Sequence, residues 1–185
     1  MRKFVTACFV FAAAGAAFGQ RSWEVDSSSV TFRIRNAGIV VKGSFTGLDA
    51  RIDFNPRRPG DGMITASVDA STVDTGIRIR NNHLRKKEYF NVGAFPRITM
   101  TSRSIRKTTD GKFAGEFAIN LKGRERMVTF PFSFQKEGQY SIFTGTFEIN
   151  RIDYDIGGNS IILDDNVRVA IWVKAKEVSG HADSH

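Results

Sequence analysis

Residues 113–134 read FAGEFAINLKGRERMVTFPFSF, and apolar residues occupy alternate positions on both sides of the pair Lys122-Gly123. The apolar positions are Phe113, Gly115, Phe117, Ile119 and Leu121, followed by Val128, Phe130, Phe132 and Phe134. Alternation with a period of two is typical of a β-strand with one buried face. A glycine-containing turn between two such runs predicts an antiparallel hairpin. The stretch therefore predicts two paired strands that share one aromatic-rich face.

The same alternation recurs along the rest of the chain. It predicts further strands at residues 30–35, 39–45, 48–54, 64–68, 98–105, 143–149 and 167–173. Turn sequences separate several of them, including Thr109-Asp110-Gly111 and Glu137-Gly138. Because short connections join antiparallel neighbours, eight or nine such strands predict an all-β fold, either a closed barrel or a sandwich.

The phenylalanines raise the question of whether the apolar face forms a filled core or lines a ligand site. Twelve of the 16 follow residue 20, and ten of these twelve lie in predicted strands. One interpretation is a completely filled core. The other is an eight-stranded barrel whose interior holds one slender apolar ligand. Composition leaves both open.

The two ends of the chain differ from this pattern. Residues 1–19 are predicted to be a signal peptide, because Arg2 and Lys3 precede an apolar run and small residues precede Gln20. Residues 20–177 would form one barrel domain, residues 178–185 a disordered tail, and the location would be periplasmic or secreted. The sole cysteine, Cys8, lies in the predicted leader, so the mature chain would depend on its core. We expect no stable membrane anchor.

Removal of Arg2 and Lys3 would leave 25 basic and 19 acidic residues, a net charge of +6 that attracts anionic groups. One basic segment stands out, because the alternation stops at residues 78–87. This segment predicts a short basic helix anchored by Tyr89, Phe90 and Phe95 and ended by Pro96, which favours extended backbone. The helix is expected to lie across one end of the barrel.

Several sequence pieces, in this order and spacing, resemble one known family. They include Trp23-Glu24-Val25-Asp26, Gly43-Ser44-Phe45, Ser71-Thr72-Val73-Asp74-Thr75-Gly76, His83-Leu84-Arg85, Tyr89-Phe90-Asn91, Phe95-Pro96-Arg97-Ile98, Asn150-Arg151-Ile152-Asp153-Tyr154 and Leu163-Asp164-Asp165-Asn166-Val167. The chain is identified on them as similar to the YceI-like family of secreted bacterial polyisoprenoid-binding proteins. The resemblance implies a lipocalin-like antiparallel barrel of about eight strands that binds an isoprenoid or similar long-chain lipid without catalysis or a cofactor. The chain departs from the usual family sequence at Lys86-Lys87-Glu88 and at Asp155. These departures concern which lipid headgroup is preferred more than they concern the fold.

This resemblance, together with the alternation, suggests two sets of site residues. The expected pore lining is Phe32, Phe45, Leu84, Phe90, Phe117, Phe132, Phe134, Phe147 and Ile149. The expected headgroup contacts are Arg78, Arg80, His83, Arg85 and Arg151, since guanidinium groups offer paired donors to phosphate or carboxylate oxygens. The alternative is that Arg78 and Arg85 are solvated and that Arg151 pairs with Asp153 or Asp74 to brace a loop.

Other functions remain as alternatives. An enzyme acting on an isoprenoid or other hydrophobic substrate would use His83 and Asp74 as acid and base. A structural β-domain that mediates protein contacts would have a filled core. Nucleic-acid binding is disfavoured, because the phenylalanines and the basic residues lie on opposite faces. Metal binding is disfavoured because His83 is the only histidine outside the C-terminal tail. The sequence leaves homodimer formation open.

Overall fold

The computed structural model describes residues 21–178. The predicted signal peptide and residues 179–185 of the predicted tail lie outside this range. Val178, predicted as the first residue of the tail, is instead the last residue of a strand. The described range therefore contains nearly the whole predicted barrel domain.

The described residues form nine strands and one short α-helix. The strands are β1 Ser22–Asn36, β2 Ile39–Phe45, β3 Asp49–Asp53, β4 Met63–Asp69, β5 Arg97–Lys107, β6 Phe113–Leu121, β7 Arg124–Glu137, β8 Tyr140–Asn150 and β9 Asn166–Val178. The helix, α1, is Arg78–Leu84, and single 3-10 turns occupy Pro59–Asp61, Ala70–Thr72 and Arg151–Tyr154. The predicted strands and the basic helix are thus confirmed, with most strands longer than the alternation indicated.

Strand pairing closes the sheet into a barrel. All neighbouring strands are antiparallel, β3 to β9 follow one another in chain order, and β1 pairs with β9 along most of its length. The first residues of β1 pair with β3, whereas its second half, Val30–Asn36, pairs with β2. The result is an eight-stranded barrel in which β2 is an extra strand, so the predicted antiparallel barrel is confirmed.

One end of the barrel is filled with aromatic rings. Trp23, Phe54, Phe113, Phe132, Phe134 and Phe143 meet there, mostly edge to face, and the Trp23 indole N–H donates to the Phe54 carbonyl at 2.9 Å. Above them Phe130 stacks between Phe117 and Phe147, with ring centroids 4.6 and 4.4 Å away. Such ring pairs stabilise beyond their buried area. We call this half, around Trp23 and Phe54, the closed end.

Gly115 makes the ring stack fit. A Cβ atom at this position would lie 2.7 Å from Cζ of Phe117, and that ring is buried against Phe130 and has no room to move. We therefore expect Gly115→Ala to lower the free energy of unfolding by about 1–3 kcal/mol, as overpacked cores do. Urea denaturation would measure it. Gly93→Ala is the control, because no atom lies within 4 Å of its added Cβ, and equal stability of the two variants would contradict the prediction.

Candidate functional site

A cavity occupies the end of the barrel opposite the closed end. Its volume is about 360 Å³, within the range of about 300–1,000 Å³ typical of small-molecule sites. Phe147, the last ring of the stack, lies at its inner limit, and β1, β5, β8 and β9 supply much of its wall. The wall is mainly apolar and includes Phe32, Ile34, Ile98, Met100, Ile149, Val169 and Ile171.

The exposure of inward-facing residues separates the two ends. Phe113, Phe117 and Val173 are buried at or near the closed end. Phe32 and Val169, which also face inward, are only half-buried because they border the cavity. Apolar surface that folding leaves uncovered is available to an apolar ligand, which would gain roughly 25 cal/mol for each Å² it covers.

A hydrogen-bond network holds α1 at one side of the cavity mouth. Asn81, the one buried residue of the helix, accepts at Oδ1 from the backbone N–H of Thr75 at 2.8 Å and from its hydroxyl at 2.6 Å. Its Nδ2 donates to Asp74 Oδ1 at 2.7 Å, and the Gly76 N–H donates to the same oxygen at 2.9 Å. The bonds from Gly76 and then Asn81 lower the pKa of Asp74. Asp74 is therefore an ionised anchor for the helix.

Arg151 organises the opposite side of the mouth. Its guanidinium is buried, and all five N–H donors are used within the segment that joins β8 to β9. The acceptors are the carbonyl oxygens of Asp164, Ile156, Gly158 and Leu163 and the Asp165 carboxylate, at 2.6–3.0 Å. The loop of residues 155–165 is thus wrapped around one cation.

The two sides of the mouth meet above the cavity. The Gly157 N–H donates to the Glu88 carbonyl at 2.7 Å. The Tyr89 ring covers Gly157, where an added Cβ would lie 2.8 Å from Tyr89 Cε1. His83 packs edge-on against Tyr89, with ring centroids 4.8 Å apart. The helix segment and the loop together narrow the opening.

Comparison with known proteins agrees with this architecture. The family model described as the YceI-like domain matches residues 23–175. The chain belongs to the YceI-like family. A UPF0312 protein of Yersinia enterocolitica is 28% identical over 152 residues, which cover 80% of this chain and 75% of that protein.

Solved structures share the fold of this YceI-like chain. BcnA of Burkholderia cenocepacia matches with a TM-score of 0.79 at 23% identity, over 83% of this chain and all of that one. The YceI protein of Campylobacter jejuni matches with a TM-score of 0.68 at 19% identity, over 97% of this chain and all of that one. A polyisoprenoid binding domain from Saccharophagus degradans, implicated in plant cell wall breakdown, matches with a TM-score of 0.67 at 14% identity, over 86% of this chain and 99% of that domain.

The predicted pore residues divide between the two ends of the YceI-like barrel. Six of the nine line the cavity: Phe32, Phe45, Leu84, Phe90, Phe147 and Ile149. Phe117, Phe132 and Phe134 do not, because they lie lower in the barrel within the aromatic packing. Their expected place along the pore is corrected accordingly. Alternation identifies the face a residue occupies and carries no information about its height in the barrel.

Two of the five predicted headgroup residues are placed to meet a ligand. Arg80 and His83 line the cavity. Arg80 donates from Nε to the Thr75 hydroxyl at 2.7 Å and from Nη2 to the Thr75 carbonyl at 2.8 Å. Within the described range its Nη1 has no partner. The two hydrogen bonds to Thr75 therefore orient the cationic Arg80 side chain at the mouth of the cavity.

The other three predicted headgroup residues differ. Arg151 borders the cavity, but its donors are all engaged, so it braces a loop as the alternative held, with Asp165 and not Asp153 or Asp74 as its acidic partner. Arg85 lies outside the cavity lining and donates to the carbonyls of Ser71 and Val73 and to the Asn82 side chain. Arg78 is exposed and also lies outside the lining. Neither is positioned to contact a molecule inside the cavity.

Some lining residues were missed at the level of sequence. They are chiefly aliphatic or come from loops: Ile98, Met100, Val169, Ile171, Ile156 and Leu163. Alternation in β5 and β9 marks Ile98, Met100, Val169 and Ile171 as residues of one face. Ile156 and Leu163 lie in a loop that has no such pattern. Asn36 also lines the cavity, and its buried Oδ1 has no hydrogen-bond partner in the described part of the chain.

The structure bears on the enzyme alternative as well. His83 and Asp74 are not joined by a hydrogen bond: the His83 ring packs on Tyr89, and Asp74 accepts from Asn81 and Gly76. Residues 21–178 contain no cluster of three or more His, Cys, Asp or Glu side chains placed to hold one metal ion. No helix in the same range is long and apolar enough to cross a membrane.

Proposed function

We propose that this YceI-like protein binds one long-chain isoprenoid or similar amphiphilic lipid in its cavity, without transforming it. The apolar cavity at one end of a barrel whose other end is tightly packed carries this proposal. The similarity in fold to a domain described as polyisoprenoid-binding supports it. The proposed role is carriage, storage or sensing in the cell envelope. A periplasmic or secreted location rests on the predicted signal peptide.

The cavity suggests how such a lipid would lie. Its apolar chain would enter first and rest against Phe147 at the inner limit, with Phe32, Ile98 and Val169 along its sides. The polar end would remain at the mouth, beside Arg80 and His83. Affinity would come mainly from apolar burial, and the cationic mouth would select the orientation.

Arg80 allows the orientation to be tested. Its Nη1 has no partner within residues 21–178, and a charge-assisted hydrogen bond contributes about 1.5–3 kcal/mol. Arg80→Gln is therefore expected to weaken binding of a polyprenyl phosphate by about tenfold or more and to leave binding of the uncharged polyprenol nearly unchanged. Competition against a fluorescent lipid would measure both affinities.

Arg78→Gln is the matched control, because Arg78 belongs to the same helix but lies outside the cavity lining. It should bind both lipids as the unmodified protein does. If Arg80→Gln and Arg78→Gln weakened phosphate binding equally, the loss would reflect net charge, and Arg80 would have no specific role.

Native mass spectrometry of the protein purified from its own host tests the proposed function directly. Organic extraction would then release and identify the bound mass. We expect one long-chain isoprenoid or related lipid for each chain. If no mass were retained, and added polyprenyl lipids were not taken up, the binding function would be refuted while the barrel remained.

A further inference from the structure

Exposed apolar side chains surround the cavity mouth. They come in pairs from three segments: the β1–β2 hairpin, the start of α1, and the loop before β9. We call these six residues the mouth rim: Ile39, Val40, Ile77, Ile79, Ile161 and Ile162. Ile79 is 82% exposed, Ile39 is 71% exposed, and Ile161 is fully exposed.

Hydrogen bonds bring two of the segments together. The Ala37 N–H at the hairpin turn donates to the Ile162 carbonyl at 2.6 Å, and the Asp164 N–H donates to the Arg35 carbonyl at 2.9 Å. The third segment is joined to β2 by an antiparallel bridge between Ser44 and Asp74. Since the bridge is antiparallel, the chain leaving Asp74 runs toward the hairpin turn. All three segments also contribute residues to the cavity lining.

Helix capping does not explain the isoleucine at one of these positions. Ile77 occupies the N-cap of α1 and provides no side-chain cap, although Ser, Thr, Asp and Asn are the side chains that stabilise that position. Single exposed apolar residues are ordinary, but several around one opening form a patch of the kind that marks an interaction surface.

On the β1–β2 hairpin and the α1 segment, basic side chains outnumber the acidic ones, Asp74 and Glu88. The loop before β9 adds the exposed Asp164. Six basic side chains on the β1–β2 hairpin and the α1 segment have neither an ion-pair partner nor a hydrogen-bond partner among residues 21–178: Arg33, Arg35, Lys42, Arg78, Lys86 and Lys87. On the opposite side of the mouth, Lys122 and Arg124 are paired with Asp155. The hairpin and helix side therefore presents a net positive charge next to exposed isoleucines.

We propose that the mouth rim docks reversibly on an anionic lipid bilayer. The isoleucines would enter the boundary between headgroups and acyl chains, and the unpaired cations would contact anionic headgroups, as interfacial segments do. The cavity would then open toward the bilayer. A second copy of the chain fits the patch less well, because pairing would bring two sets of unpaired cations together. This docking surface is a property additional to ligand binding.

Co-sedimentation with vesicles tests the proposal. The vesicles would contain equal parts of phosphatidylcholine and phosphatidylglycerol, or phosphatidylcholine alone. The protein would be used as purified from its own host. We expect tighter binding to the anionic vesicles, weakened by salt. Lys86→Gln with Lys87→Gln should weaken it by about 30-fold, from about 1 kcal/mol per cation. Ile161→Ser with Ile162→Ser should weaken it by about tenfold.

Matched controls lie at the closed end. Met63→Ser with Val178→Ser removes exposed apolar surface there. Arg106→Gln with Lys107→Gln removes two exposed cations there that have no ion-pair partner among residues 21–178. Both should bind vesicles as the unmodified protein does, and the melting temperature of each variant would be checked. All variants share one N-terminus, so binding through the first 20 residues would be the same in each.

The vesicles contain no isoprenoid lipid, but their phospholipids are also amphiphilic, so Val169→Trp, which would fill the cavity, is tested beside the other variants. Vesicle binding that survives this change belongs to the surface, whereas its loss would assign vesicle binding to the cavity and overturn the proposal. No vesicle binding, or equal losses at the mouth rim and at the closed end, would overturn the proposal. A dimer seen by sedimentation velocity and abolished by the Ile161 and Ile162 changes, without vesicle binding, would assign the mouth rim to a second copy instead.

Discussion

Arg151→Met should lower the free energy of unfolding by about 3–5 kcal/mol, because several loop carbonyl groups would lose their donor and each buried polar group left unpaired costs about 1–3 kcal/mol. The side chain is 2% exposed, and it satisfies four carbonyl groups of residues 156–164 as well as the Asp165 carboxylate. Methionine fills a similar volume but donates no hydrogen bond. Since a typical domain has a total stability of about 5–15 kcal/mol, this loss is large.

Urea denaturation of the variant and of Arg168→Met would measure this effect. Arg168 also pairs with a carboxylate, Glu148 at 2.9 Å, but it is 64% exposed, so its loss should cost at most about 1 kcal/mol. Arg151→Lys keeps the charge but offers three donors in place of five, and should recover only part of the stability. Equal losses for Arg151→Met and Arg168→Met would show that the buried network does not stabilise the loop.

Arg151→Lys also distinguishes a role of Arg151 in bracing the loop from direct contact with the ligand. If Arg151 only shapes the mouth, Arg151→Lys should change the affinities for a polyprenyl phosphate and a polyprenol by the same factor. A loss confined to the phosphate would return Arg151 to the headgroup site. The five internal hydrogen bonds favour the first outcome.

Val169→Trp should reduce lipid affinity by at least tenfold while changing the free energy of unfolding by no more than about 1 kcal/mol. Val169 faces the cavity from β9, where an added indole would occupy space otherwise open to the ligand. Ligand affinity falls because that space is no longer free. Stability changes little because no packed neighbour has to move.

Val173→Trp should have the opposite effect. Val173 lies four residues further along the same face of β9, is 5% exposed, and belongs to the packed core. Forcing an indole into it should lower the free energy of unfolding by about 3 kcal/mol. The two variants would be compared by urea denaturation and by lipid competition. Equal destabilisation would mean that the cavity is filled in solution, and the structural β-domain would then be the better explanation.

Much of the fold could be predicted from the sequence. All nine strands were indicated by alternation over at least part of their length, because one face is apolar and the other is more polar. The alternation fails at the start of β1, where a bulge between Val25 and Ser27 shifts the register against β9. The bulge lets Trp23 and Val30 both be buried although their positions differ in parity. Sequence alternation therefore indicated only the second half of that strand.

The candidate site was less predictable. The sequence singled out a basic helix across the barrel end, and Arg80 and His83 do line the cavity there. It did not separate Arg80 from Arg151, since a guanidinium at either position offers the same paired donors. Whether each guanidinium is free to meet a ligand depends on which backbone carbonyl groups lie within hydrogen-bonding distance of it. That is decided by a loop whose ends, at Arg151 and Asn166, are joined through the pairing of β8 with β9.

The sequence by itself determined which residues alternate in polarity along each strand, because alternation is a local periodicity. Its short motifs determined the family and, through the family, the barrel class. Only the tertiary structure decided which part of the barrel is filled and which is open. Antiparallel register sets which residues meet at one height: Gly115 and Gly145 leave room for Phe117 and Phe130 to stack, whereas Phe32 and Val169 meet at the level of the cavity. The free volume at a given height of the barrel depends on side chains from strands that are far apart in the chain, so no local sequence pattern encodes it.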